Sequence, residues 1–114
     1  MIQRFQPGPR MSGAVKANGF VFLAGQVADD TSEPVAGQTR QVLAKIDQLL
    51  AEAGTDKTRI LSANIWLSDI STFADMNSVW DAWVPQGNTP ARATVEAKLA
   101  TPAYTVEIAV IALA

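Results

Sequence analysis

Residues 104–113 read YTVEIAVIAL, a run that is apolar except for Thr105 and Glu107. This run is predicted to form the last strand of the protein. Its apolar side chains alternate onto both faces, with Val106, Ile108 and Val110 on one side and Ala109, Ile111 and Leu113 on the other. Since such a strand cannot leave either face in water, we expect helices to cover one face and another copy of the protein to bury the second.

A tight hairpin is predicted near the start of the chain. Ala14-Val15-Lys16 and the apolar run at residues 20–24 flank Ala17-Asn18-Gly19. The Asn-Gly pair supplies the two positive-φ positions that a type I′ turn demands. Gly25 follows the second strand, where a missing side chain permits a bulge or the close approach of another group.

Two helices are predicted from apolar residues that recur at helical spacing. The first spans about residues 34–53, and Gly54 stands where a helix C-terminal glycine belongs. The second begins at Thr72, because Thr72-Phe73-Ala74-Asp75 resembles a capping box, and it ends before Pro85.

Two further strands are predicted from residues that alternate in character. In residues 60–67, one face carries Leu61, Ala63, Ile65 and Leu67. In residues 91–97, one face carries Arg92, Thr94 and Glu96. The order of two strands, helix, strand, helix and two strands favours an α+β sandwich with both helices on one sheet face. No linker-like stretch divides the chain, so residues 1–114 are expected to form a single domain.

Composition excludes several classes of function. The net charge of -2 and the scattered basic residues argue against a nucleic-acid partner. The longest purely apolar run, residues 20–24, is far short of the ~20 residues that span a membrane, and the start lacks a hydrophobic signal core, so a cytoplasmic protein is expected. With no cysteine and no histidine, disulfides, thiolate nucleophiles, Ser-His-Asp triads and nearly all zinc geometries are excluded.

Two charged residues are the main candidates for chemistry. Glu107 is a carboxylate in a strand that otherwise has the pattern of a buried one, so it must find a cation, donors or water, or become protonated. Arg92 follows Asn88-Thr89-Pro90, and its planar guanidinium matches a carboxylate. Structural alternatives remain for both: Glu107 could form an edge-strand ion pair or lie at a subunit contact, and Arg92 could be a solvated surface residue.

Weaker candidates lie around these two. Asn77, early in the second helix, could donate to a ligand or simply lie on the helix surface. Trp66, Trp80 and Trp83 could line a pocket, although aromatic residues at helical spacing are more often core or interface. Thr94 could serve only as a β-branched strand residue.

Several of these segments together resemble the signature of the Rid (YjgF-like) family. They are Pro90-Ala91-Arg92-Ala93-Thr94-Val95, Val106-Glu107-Ile108, Phe73-Ala74-Asp75-Met76-Asn77, Gly25-Gln26 and the Asn18-Gly19 hairpin. The resemblance covers essentially the whole chain, and the segment MNSVWDAW at residues 76–83 is most similar to a short, YoaB-like branch.

The resemblance implies a chorismate-mutase-like fold, with a mainly antiparallel mixed sheet of about six strands and two helices on one face. It implies a homotrimer with clefts between subunits and a cofactor-free, metal-free hydrolysis of enamines and imines, such as 2-aminoacrylate, to 2-keto acids and ammonia. In this chain Arg92 would bind the substrate carboxylate and Glu107 would position water. Gly25, Thr94 and Asn77 would complete the pocket.

This sequence departs from the best-known deaminases around the expected pocket. Met11 stands where many members have a tyrosine, Ala24 replaces a serine, and Thr94 stands where a cysteine is common. The lost hydroxyls leave two alternatives to the deaminase. One is a carboxylate-binding trimer without turnover, and the other is a hydrophobic holding or interaction protein.

Overall fold

The computed structural model describes residues 1–114 and contains six strands and two helices. In chain order they are β1 (Gln3–Pro7), β2 (Ser12–Ala17), β3 (Phe20–Leu23), α1 (Val35–Glu52), β4 (Ile60–Leu67), α2 (Phe73–Trp83), β5 (Ala91–Glu96) and β6 (Val106–Leu113). Short 3-10 turns at Lys57–Arg59 and Ile70–Thr72 precede β4 and α2. Neither helix has the length and apolar character needed to cross a membrane.

The six strands form one mixed sheet in the order β1-β2-β3-β6-β4-β5. Only β4 and β5 are parallel; every other neighbouring pair is antiparallel. The predicted α+β class and the mixed six-stranded sheet are therefore confirmed. The pattern gave no separate indication of β1, an edge strand in which four of the five residues are exposed and only Phe5 is half-buried.

The hairpin and the end of the first helix agree with the predictions. Ala17 pairs with Phe20 across a two-residue turn, in which Asn18 has φ +53° and Gly19 has φ +83°. Both central residues of a type I′ turn require this left-handed region. Gly54 follows α1 with φ +84°, as a C-terminal glycine should.

The predicted capping box at Thr72 is wrong. The chain enters α2 through the 3-10 turn, so Thr72 already has φ -88° and ψ 9° instead of the extended backbone of an N-cap. Its hydroxyl donates to the Asp69 carbonyl oxygen at 2.6 Å. Asp69 is the residue that caps this segment, because its carboxylate accepts from the Ser71 N–H at 2.9 Å.

The predicted face of Leu61 is also wrong. A register shift between Ile60 and Ser62 interrupts the β4–β6 ladder, so Ile60 and Ala63 are buried while Leu61 is 42 % exposed. A β-bulge adds one residue to one strand, and the side chains before it no longer alternate in phase with those after it.

The predicted two-faced character of β6 is present in the structure. Val106, Ile108, Val110 and Ala112 are buried in the core beneath the helices. On the outer face, Ala109 and Ile111 are half-buried and Leu113 is exposed. Phe22 of β3, which pairs with Ile111, is 43 % exposed. The chain itself therefore covers only one face of its sheet.

Candidate active site

Glu107 lies directly against Gly25. A Cβ built on Gly25 would come within 2.0 Å of the Glu107 Oε2 atom, so any other residue here would force the carboxylate to move. The next residue, Gln26, exchanges two backbone hydrogen bonds with Ile108, at 2.8 and 3.1 Å, and this fixes the glycine beside β6. Both possibilities predicted for Gly25 are present: the Glu107 carboxylate approaches it closely, and the pairing with β6 shifts by one residue between Phe22–Ile111 and Gln26–Ile108, as at a β-bulge.

Glu107 has no cationic partner within the chain. The single ion pair of the protein joins Lys45 to Asp29 at 3.0 Å, far from this strand in sequence. The half-buried Glu107 carboxylate therefore lies on the outer face of the sheet without an intrachain salt bridge. An ionised carboxylate in this setting still has acceptor sites for water or for a ligand.

A buried glutamine, which the sequence pattern did not single out, holds the segment that leads to Glu107. Gln38 of α1 is fully buried; its amide nitrogen donates to the Ala103 carbonyl at 3.1 Å and its oxygen accepts from the Thr105 N–H at 3.0 Å. A polar residue near the start of a helix has no pattern that distinguishes it from a surface residue, so this role could not be predicted from spacing.

Arg92 is held by side chains of α2. Its Nη1 atom donates to the Asn77 Oδ1 atom at 2.7 Å. Its guanidinium carbon lies 5.3 Å from the centre of the Trp80 ring and 5.6 Å from that of Phe73, distances typical of cation–π contacts. Arg92 is thus half-buried and contacts three side chains of α2.

The held guanidinium keeps an open edge. Nη1 is the only guanidinium nitrogen of Arg92 that donates within the chain, so the N–H groups of Nε and Nη2 have no protein acceptor. These two groups point the same way in the plane of the guanidinium and form a fork that matches the two oxygens of a carboxylate.

Asn77 belongs to the group of side chains around Arg92, and the sequence did not predict its hydrogen bond with this arginine. Its side-chain oxygen accepts from Arg92 instead of facing solvent. Trp80 and Phe73 also belong here, whereas Trp83 donates from Nε1 to Asp47 at 2.9 Å and Trp66 lies on the opposite face of the sheet. Helical periodicity predicted only that Trp80 is a core or interface residue.

Thr94 lies on the same face of β5 as Arg92, two residues further on. Its Oγ1 atom is buried and has no hydrogen-bond partner in the chain. A buried hydroxyl without a partner is unfavourable for folding, and such atoms are rare in native proteins. Thr94 could therefore donate a hydrogen bond to a ligand held by Arg92.

The strand register places Arg92 and Glu107 on opposite faces of the sheet. Arg92 pairs with Ala63, a core residue beneath the helices. Glu107 pairs with Trp66, which faces outward. Directly paired residues project to the same side of a sheet. One chain therefore cannot place both side chains on one small molecule.

Ala24 and Met11 belong to the side of Glu107. The Ala24 N–H donates to the Gly13 carbonyl at 2.9 Å and continues the β2–β3 ladder. Extending this register brings Met11, which is 58 % exposed, to the level of Gly25 and Gln26. The predicted site residues thus form two clusters: Arg92, Asn77 and Thr94 in one, and Glu107, Gly25, Ala24 and Met11 in the other.

The carboxyl groups with shifted pKa values lie outside both clusters. The pKa values of Asp30, Asp56 and Asp69 are lowered because each carboxylate accepts hydrogen bonds from the hydroxyl and backbone N–H of a Ser or Thr two residues later. These residues stabilise turns. No group of three or more acidic side chains comes together in a way that could hold a metal ion.

Comparison with known proteins covers the whole chain. A family model described as Endoribonuclease L-PSP matches residues 1–114. A RutC family protein of Haemophilus influenzae is 47 % identical over 112 residues, which are 97 % of each chain. The RutC family protein YoaB of Escherichia coli is 40 % identical over 111 residues, which are 97 % of this chain and 96 % of YoaB.

Solved structures give the same result. A YjgF family member from Neisseria meningitidis superposes with a TM-score of 0.97 at 52 % identity and covers 99 % of this chain and 94 % of its own. YyfA from Yersinia pestis, described as a Rid family protein of unknown function, superposes with a TM-score of 0.86 at 32 % identity, over 95 % of this chain and 90 % of its own.

Proposed function

Because the chain belongs to the endoribonuclease L-PSP family, which includes the YjgF and Rid proteins that its sequence resembles, we propose that it is a hydrolytic enamine/imine deaminase. Its substrates would be 2-aminoacrylate-like imino acids, and its products 2-keto acids and ammonia. The observation that carries the proposal is the Arg92 guanidinium bonded to Asn77 through Nη1, with the Nε–Nη2 edge left without a protein acceptor.

Substrate binding would begin at this open edge. The carboxylate of an imino acid would accept two parallel hydrogen bonds from Arg92, and a third could come from the unpartnered Thr94 hydroxyl. This arrangement would fix the adjacent C=N carbon in one orientation and would remove much of the entropic cost of the attack by water. Asn77 acts as a positioning residue, because it restricts the rotation of the guanidinium.

Hydrolysis would use Glu107. A water molecule hydrogen-bonded to this carboxylate would add to the imine carbon, with its oxygen forming the new C–O bond and its proton passing to Glu107. The former imine nitrogen would take up two protons in all, the one held by Glu107 and the one on the new hydroxyl, so that the C–N bond breaks, ammonia leaves and the C–O bond becomes the keto group. The glutamate returns to its ionised form, so no redox partner or cofactor is consumed.

A complete site would need two chains. Arg92 and Glu107 lie on opposite sheet faces, so the substrate held by Arg92 of one subunit would meet Glu107 of a neighbour. The exposed apolar outer face offers a surface for that neighbour, since Phe22 and Leu113 are 43 % and 37 % exposed. We propose a homotrimer in which each contact between subunits forms one such cleft.

A carboxylate-binding protein without turnover is the second candidate. Ala24, Gly25 and Met11 supply no side-chain hydroxyl near Glu107, so the water would depend on Glu107 and backbone groups. A holding role would rest on the apolar outer face alone. For cleavage of RNA, the activity that the family description names, the chain offers no histidine and no dense basic surface.

In the experiment, an amino-acid oxidase generates an imine in the reaction mixture, and semicarbazide competes with the protein for that imine. The rate of semicarbazone formation is measured. The purified protein should lower semicarbazone formation, and Arg92→Ala should remove that effect. Arg10→Ala is a matched control, because Arg10 is exposed and lies outside both clusters. An unchanged imine lifetime across several amino acids would exclude the deaminase; binding of a 2-keto acid that depends on Arg92 would then favour the second candidate.

A further inference from the structure

The largest cavity of the protein lies between α1 and α2, in the helical layer. It has a volume of about 400 Å³, within the range of small-molecule pockets. Its apolar lining consists of Leu43, Ala44, Val79, Ala82 and Trp83, and its polar lining of Arg40, Asp47, Lys57 and Ser78. We call it the interhelical groove. It includes none of the residues assigned to substrate binding or hydrolysis.

The charges of the groove favour an anion. Arg40 is exposed and makes no hydrogen bond or ion pair within the chain. Lys57 donates to the Trp83 carbonyl at 2.6 Å and lies 5.0 Å from the centre of the Trp83 ring, but no carboxylate neutralises it. The single acidic residue, Asp47, already accepts from Trp83 Nε1. Two cations thus face one engaged carboxylate, although the whole chain has a net charge of -2.

The positions along α1 indicate how a ligand would lie. Arg40 and Leu43 are one turn apart, and Asp47 follows one turn later on the same side of the helix. The unpaired Arg40 therefore lies at one end of the apolar lining, and Trp83 lies at the other end. A ligand with an anionic head and a short apolar tail matches this order.

We propose that the interhelical groove binds a small carboxylate with an aromatic or other apolar body. Arg40 forms the paired hydrogen bonds with the carboxylate, since all of its donors are free, whereas Lys57 is already engaged with Trp83. The body packs against Leu43 and Val79 and reaches the aromatic ring of Trp83.

The groove and the Arg92 cluster share an aromatic wall. The rings of Trp83 and Trp80 are 5.5 Å apart with an interplanar angle of 49°, and Trp80 lies beneath the Arg92 guanidinium. A carboxylate bound at Arg92 could therefore also change the signal of Trp83, so Arg40 and Arg92 must be tested separately. Binding in the groove must survive the loss of Arg92, which also keeps this proposal independent of the deaminase.

The test is a titration of the full-length protein with 3-phenylpropionate, followed by the ¹H–¹⁵N resonance of the Trp83 indole N–H. We expect a saturable shift with a dissociation constant below about 1 mM. The uncharged 3-phenylpropionamide and the cationic 3-phenylpropylamine should bind at least about tenfold more weakly, because each lacks the carboxylate that pairs with arginine.

Four variants complete the test. Arg40→Ala should weaken binding of 3-phenylpropionate about tenfold or more, and Ala82→Leu should abolish it by filling the groove. Arg10→Ala and Arg92→Ala should leave it unchanged. The proposal is overturned if no shift occurs, if the amide or the amine binds as well as the acid, if Arg40→Ala has no effect, or if Arg92→Ala removes the signal.

Discussion

Arg92 donates from Nη1 to Asn77 Oδ1 at 2.7 Å, and this hydrogen bond joins a strand residue to a helix residue fifteen positions earlier. The contact turns the guanidinium so that its Nε–Nη2 edge is left for a ligand. Trp80 and Phe73 hold the same group from α2. The proposed binding of a carboxylate would thus depend on how β5 packs against α2.

Asn77→Ala should raise the KM for an imino acid about tenfold, with a smaller change in kcat. A hydrogen bond to a charged group contributes about 1.5 kcal/mol, and without it the guanidinium is no longer held in the orientation that binds the carboxylate. Steady-state kinetics with coupled imine generation measures both constants. Ser78→Ala, at the next and exposed position, is the control, and an unchanged KM for Asn77→Ala would remove the positioning role.

Gly25→Ala should destabilise the protein by about 0.5–1.5 kcal/mol, since the added Cβ would overlap the Glu107 carboxylate and force this side chain out of its rotamer. Denaturant unfolding measures the loss. In a Glu107→Ala background the same substitution should be nearly neutral, because the overlapping atoms are gone. Equal destabilisation in both backgrounds would refute the contact.

Acid should remove the stabilisation provided by the capping aspartates. The pKa values of Asp30, Asp56 and Asp69 are lowered in the folded protein by hydrogen bonds from Ser32, Thr58 and Ser71. A lowered folded pKa gives stability that is present above the unfolded pKa of about 3.9 and is lost as the pH falls through the folded value. Replacing all three by Asn should make the free energy of unfolding less dependent on pH below about pH 5. An unchanged acid slope in the triple variant would contradict this assignment.

Phe22→Glu should reduce the size of the assembly without unfolding the chain. Phe22 is 43 % exposed on the outer face, where a charge would have to be buried beneath a neighbouring subunit. Light scattering at micromolar concentration should report a trimer for the parent and smaller species for the variant. Ala44→Glu, on the exposed side of α1, should leave the trimer intact. A monomeric parent would overturn the proposed shared cleft.

Alternation within one strand was sufficient to predict that β6 has two apolar faces and that Arg92 and Thr94 lie together. It could not show that Arg92 and Glu107 face opposite ways, because that depends on the register of β5 and β6 against β4. The bulge at Ile60 and Ser62 likewise reversed the expected face of Leu61. The period of two holds within a strand, whereas relative facing arises from long-range pairing.

The role of Gly25 could be stated in advance only as a choice between a bulge and a close contact. The carboxylate that occupies the space comes from a residue more than eighty positions later, and no local pattern identifies it. The contacts of Arg92 with Phe73 and Trp80 could not be predicted either, because helical spacing does not show which side chain an aromatic ring will meet.

The proposed site between subunits is tested most directly by mixing two variants that are each expected to be inactive. Arg92→Ala and Glu107→Gln should each lack deaminase activity as homo-oligomers. When the two are unfolded and refolded together in equal amounts, about one quarter of the clefts should combine an intact Arg92 with an intact Glu107 from its neighbour, and that share of the parent activity should return. Mixed oligomers that assemble, as verified by native mass spectrometry, but remain inactive would contradict the account.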